Sequence, residues 1–140
     1  MSEVPESRPI KFTITHHRQQ QHSHEAFMNW MIEKHLPLAM PVFKKYGVLE
    51  YSLFVTPPSM NNALRQEIGQ VRPSWEFADF DCFIEYTLPD VDTIKKVMSD
   101  PDWQVAVKDQ GDWVQVPKAL VSVGYSTPYV INGEPVNLPK

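Results

Sequence analysis

Polar and apolar residues alternate from Ile10 to His16: Ile10, Phe12, Ile14 and His16 on one side, Lys11, Thr13, Thr15 and His17 on the other. Period two with one apolar face predicts a β-strand. Residues 18–22 form a polar connector, and the period then changes. Phe27, Trp30 and Met31 recur at helical spacing behind Ser23, a good cap, with Glu25 in the first turn, where a carboxylate suits the helix dipole. His35 falls eight residues after Phe27, on the same face. Pro37 and Pro41 are expected to break or redirect this helix, and Tyr46-Gly47 to end it. Residues 48–55 read as a second strand with Leu49, Tyr51, Leu53 and Val55 on one face, stopped by Pro57-Pro58. A polar insert follows, with a short helix near residues 61–68. The third strand, residues 79–87, carries Phe80, Cys82, Ile84 and Tyr86 on one face and Asp81, Phe83 and Glu85 on the other. Asp90 and Asp100-Pro101 open two further helices, the first holding Val91, Ile94, Val97 and Met98, the second Trp103, Ala106 and Val107. Residues 119–125 make a fourth strand, and Asn132-Gly133 signals a tight hairpin turn in the last segment.

The order β-α-β, insert, β-α-β is met most simply by a ferredoxin-like α+β fold, a four-stranded antiparallel sheet with its helices on one face. The expected organisation is a flexible amino terminus (1–9) and one domain (10–140), with a lid-like insert at 57–77 and a carboxyl-terminal hairpin. Phe54 and Phe83 lie opposite the helix-facing residues of their strands. An apolar patch on that second face predicts a homodimer with two sheets face to face.

Charge and composition then narrow the function. Thirteen Lys and Arg against 17 Asp and Glu give a net charge of −4, with no basic cluster, so nucleic acid is not an expected partner. No apolar run approaches the ~20 residues of a membrane span, and residues 1–9 lack a secretory core, so a cytoplasmic protein is expected. The single cysteine, Cys82, rules out cysteine-based metal sites and an internal disulfide. No metal or cofactor is expected, since glycine-rich phosphate loops are absent too.

All five histidines lie between His16 and His35. His17, His22 and His24 read as solvated connector residues. His16 and His35 share the apolar faces of their elements, where a histidine is either a satisfied structural group or an acid/base catalyst. Tyr51 and Tyr86 read as core or pocket wall. Trp75, in the insert, suits closure over a flat aromatic substrate, and Arg65 suits clamping a carboxylate; the plain alternatives are insert docking and a solvated helix charge. Asp79 and Asp81 read as edge charges.

The segments His24-Glu25-Ala26-Phe27, Trp30 and Glu33-Lys34-His35-Leu36-Pro37-Leu38 resemble the first-helix signature of EthD-type dimeric α+β barrel proteins. Tyr86-Thr87, Ser99-Asp100-Pro101-Asp102-Trp103 and Val123-Gly124-Tyr125 extend the resemblance. Residues 62–67, 78–82 and 132–138 are similar to the subgroup of fungal aromatic-polyketide clusters that includes decarboxylases of anthraquinone-precursor acids such as atrochrysone carboxylic acid. The resemblance implies a dimer with a cleft between sheet and helices and His35 as the recurring helix histidine. It implies a cofactor-independent decarboxylase of an aromatic polyketide acid of the anthraquinone or anthrone precursor type. Relatives are also described as dehydratases, cyclases and cofactor-free oxygenases. A non-catalytic polyketide-binding protein is the alternative of another class.

Overall fold

The computed structural model describes residues 8–139. The flexible terminus expected at residues 1–9 therefore lies, over residues 1–7, outside the described residues. Four strands, β1 (Ile10–His16), β2 (Glu50–Val55), β3 (Cys82–Leu88) and β4 (Val121–Gly124), form one antiparallel sheet in the order β2-β3-β1-β4. This is the ferredoxin-like arrangement. The register sets Phe12 beside Tyr86 and Tyr86 beside Tyr51, then Ile14 beside Ile84 and Ile84 beside Leu53. Alternation therefore stacks the apolar sets of three strands on one face.

The helices cover that face. The run expected to break at Pro37 continues to Lys45 in three pieces: α1 (His24–Trp30), a π-helical turn (Met31–His35) and α2 (Leu36–Lys45). Ser23 caps α1, its Oγ accepting from the Ala26 N–H at 3.0 Å. In the π-turn the Leu36 N–H reaches back to the Met31 carbonyl, one residue further than an α-helix allows. Pro37 then falls in the first turn of α2, where a missing N–H costs little. Pro41 sits on the exposed side, and the helix passes it. Gly47, at φ 74°, supplies the left-handed residue after the helix end. Phe27, Met31, Ala39 and Val42 are almost fully buried against the sheet.

The later helices start as the acids predict. Asp90 Oδ1 accepts from the Thr93 N–H and hydroxyl, each at 3.0 Å, ahead of α4 (Asp92–Ser99). Asp100 caps α5 (Pro101–Ala106) through the Asp102 N–H at 2.8 Å. The same carboxylate accepts from Lys45 Nζ at 2.9 Å and the Tyr46 hydroxyl at 2.7 Å, so it ties α5 to the end of α2. The Lys45 and Tyr46 hydrogen bonds hold its carboxyl down at about 2. A carboxyl depressed in the folded state stabilises above its unfolded value near 4, and that contribution is lost as pH falls from about 4 through about 2. Urea midpoints should therefore drop across that window in the wild type. Asp100→Asn should be less stable at neutral pH and show a shallower acid drop.

A short α6 (Gln110–Trp113) and a 3₁₀ turn (Val116–Lys118) lead to β4. Asn132 and Gly133, at φ 52° and 80°, turn the terminal hairpin between β5 (Val130–Ile131) and β6 (Glu134–Pro135). The insert helix, α3 (Pro58–Ile68), buries none of its residues. On the outer sheet face Thr13 and Ser122 share a hydrogen bond, and Phe54 and Phe83 meet edge to face at 6.4 Å near one end. That face is apolar only around the two phenylalanines.

Candidate active site

A cleft of about 150 Å³ opens between the sheet and the helices. Its floor is Phe12, Ile14 and His16 from β1 with Ile84 and Tyr86 from β3; its walls include His35, Val97, Trp103 and Gln110, with Met98 and Val121 at the rim. No charged side chain lines it. The two histidines singled out in the sequence thus share one mostly apolar cavity with Tyr86.

The π-turn places His35. Eight residues of straight α-helix overshoot two turns by about 80°; the wider turn takes back rotation and returns His35 to the buried stripe. Its ring stacks on Trp30 at 5.5 Å and meets the edge of Trp103 at 5.7 Å. Trp30 in turn stacks on Trp113 at 5.6 Å, and Trp113 on His22 at 3.8 Å. His35 Nδ1 lies 3.0 Å from the Ala106 carbonyl oxygen. A carbonyl only accepts, so Nδ1 carries the proton and Nε2 the lone pair. Burial lowers the His35 pKa, against the opposing effect of that carbonyl. His16 is pushed down to about 4, first by burial and then by the charge His35 would carry. His16 Nδ1 is buried without a hydrogen-bond partner. Both imidazoles are therefore neutral at ordinary pH. Burial raises the Tyr86 phenol, which stays protonated.

The remaining predicted residues sit elsewhere. Tyr51 lies outside the cleft, packed at 5.0 Å against Tyr86 and 5.4 Å against Phe43, with its hydroxyl buried and unpartnered. Arg65 and Trp75 line a separate shallow groove with Gly69, Pro73 and Phe77. None of the residues lining the histidine cleft comes from the 57–77 insert. Cys82 is fully buried with its thiol pushed up to about 12, so it offers no nucleophile.

Two expectations are corrected. Asp81 is not an edge charge: it is 3 % exposed and accepts from Arg18 Nη1 at 2.6 Å, the Arg18 N–H at 2.8 Å and His24 Nδ1 at 2.8 Å. Burial raises its carboxyl, but these donors together outweigh burial and hold it low. The chain has not yet entered β3 at this residue, so strand alternation does not govern it. The connector histidines are not free in solvent either. His17 Nε2 pairs with Asp79 at 2.8 Å, His24 with Asp81, and His22 Nε2 donates to the Asp112 carbonyl at 2.9 Å. Asp81→Ala should cost about 2 kcal/mol or more in urea unfolding, because it strips the Arg18 guanidinium, the Arg18 N–H and the His24 ring of their shared acceptor.

Sequence reasoning missed Trp103 and Gln110 as cleft residues, and the Ala106 carbonyl as the group that fixes His35. The run Asp100-Pro101-Asp102-Trp103 marked a helix start but not its orientation. Among the described residues, no group of three His, Cys, Asp or Glu side chains is placed to hold a metal ion, and no helix is long and apolar enough to cross a membrane.

The sheet, its covering helices and this cleft define a ferredoxin-like α+β protein. The EthD domain model matches residues 19–116, and the chain belongs to the EthD family. It is 31% identical to the dehydratase iacD of Pestalotiopsis fici, over 98% of this chain and 99% of that protein. It is 27% identical to a decarboxylase of Emericella nidulans, over 94% of this chain and 86% of that protein. Among solved structures, an EthD-family protein of Bacillus halodurans aligns with a TM-score of 0.55 at 13% identity, covering 85% of this chain and 99% of that one.

Proposed function

We propose that the protein is a cofactor-independent lyase that tailors an aromatic polyketide by dehydration, with His35 as the base. The observation that carries this reading is the Nδ1 contact to Ala106, which leaves a neutral imidazole with its Nε2 lone pair in an apolar cleft. Such a group accepts a proton readily and has none to donate at the outset. His35 Nε2 removes the proton beside a ring carbonyl. A carbon–carbon double bond forms as the neighbouring C–O bond breaks, and the imidazolium returns its proton to the departing hydroxyl, releasing water. The protonated Tyr86 phenol suits hydrogen bonding to the carbonyl, and His16 suits orienting the substrate. The dehydratase name of the relative from Pestalotiopsis fici supports this chemistry.

Decarboxylation of a polyketide acid is the second reading. A carboxylate in this cleft would meet no charged partner, and desolvation of that kind favours loss of carbon dioxide. Relatives named decarboxylase support it. Incubating purified, chelator-dialysed protein with hydroxylated polyketide ketones and acids separates the two by product mass. Loss of water is expected; loss of carbon dioxide alone supports the second reading, and unchanged substrate supports the binding-protein alternative. Activity should survive the dialysis.

The protein is also expected to act as a homodimer through the sheet face that carries Phe54, which is exposed, and Phe83. Sedimentation at micromolar concentration should show a species of twice 16.2 kDa. A monomer alone would count against it.

A further inference from the structure

The size and rim of the cleft point to a narrower substrate class than the family resemblance implies. We infer that the cleft seats a single six-membered ring and that this ring carries an alkyl chain, which leaves along the exposed apolar edge of β4. The inference rests on the cleft being the substrate site. A dry apolar cavity of about 150 Å³ holds one benzene ring, and this cleft has that volume. Its floor is suited to a flat ring: Phe12 and Tyr86 stack at 5.5 Å, and Trp103 forms a wall. Three fused rings of an anthraquinone skeleton exceed that volume and would leave part of the skeleton outside the cleft.

The cleft opens at an apolar edge. Val121 and Met98 line it while remaining 61 % and 55 % exposed. Val123, 53 % exposed, stands opposite Phe12 in the register and so continues the same sheet face. A ring substituent leaving the cleft past Val121 meets Val123 next. The exposed valine and methionine side chains along this path favour a hydrocarbon chain. Each methylene buried on such a surface is worth about fourfold in affinity.

Isothermal titration of the full chain with three unreactive probes tests the inference: 5-methylresorcinol, 5-pentylresorcinol and 1,8-dihydroxyanthraquinone. The pentyl compound should bind about tenfold more tightly than the methyl compound, since the rim buries only part of the chain. The three-ring compound should bind more weakly than the pentyl compound by at least about tenfold. Val123→Asp, beyond the residues that line the cleft, should abolish the pentyl advantage while leaving methylresorcinol affinity unchanged. Met98→Asp, on a different element, should weaken the pentyl compound in the same way and serves if the strand variant misfolds. Equal affinity for the methyl and pentyl compounds, or tight binding of the three-ring compound, overturns the inference. Failure of all three to bind overturns it together with the assignment of the cleft as the substrate site. Binding is read without turnover, so failure of polyketide ketones to lose water overturns only the proposed reaction and leaves this inference to the titration.

Discussion

His35→Gln should lower turnover by at least about a hundredfold while leaving the fold intact, the scale expected when a positioned acid/base group is removed. Glutamine preserves much of the side-chain volume and can still donate to the Ala106 carbonyl, but it cannot take up a proton. A purely structural His35 makes the opposite forecast. Its contacts to Trp30, Trp103 and Ala106 would then be its whole contribution, and glutamine would leave the rate near normal. His35→Ala alone would not separate the two accounts, since it also opens a hole beside both tryptophans. Circular dichroism and the melting temperature of the glutamine variant, measured alongside its rate, complete the comparison.

Trp30→Ala should be the most destabilising replacement near the site, costing about 3–5 kcal/mol by urea unfolding. Against a total stability of order 5–15 kcal/mol, that leaves little margin. The indole is 7 % exposed and sits at a junction, stacked on Phe27, His35 and Trp113 at 6.3, 5.5 and 5.6 Å. Removing it leaves a cavity in the core and also frees the His35 ring to rotate. Trp30→Phe should recover most of the stability, because a smaller ring still fills part of the stack. A cost below about 1 kcal/mol for Trp30→Ala would show that the stack does not hold this region together.

The contrast between these residues and the insert shows where the sequence was informative. His16 was legible because strand alternation alone puts it beside Phe12 and Ile14. His35 was legible from its distance to Phe27, although a π-turn that the pattern did not reveal is what delivers it to the buried face. Trp103 and Gln110 were not, because the orientation of α5 and α6 depends on long-range ties such as Lys45 to Asp100 and Arg18 to Val114. Asp81 was misread for a related reason. Its burial depends on partners 57 and 63 residues away in the chain, His24 and Arg18, which no local period encodes. Arg65 and Trp75 carry suitable chemistry but belong to an insert whose placement local pattern does not specify.

The central claim is that a neutral His35 begins the reaction by accepting a proton. The pH dependence of kcat/KM tests it most directly. The rate should be flat through neutral pH and fall on the acid side with a midpoint below the ordinary imidazole value of 6.5, because burial lowers the His35 pKa. In His35→Gln that acid limb should disappear from the residual rate. A wild-type rate that instead declines as pH rises from about 5 to about 7 would mean that the protonated imidazole is the working form, and would contradict the account.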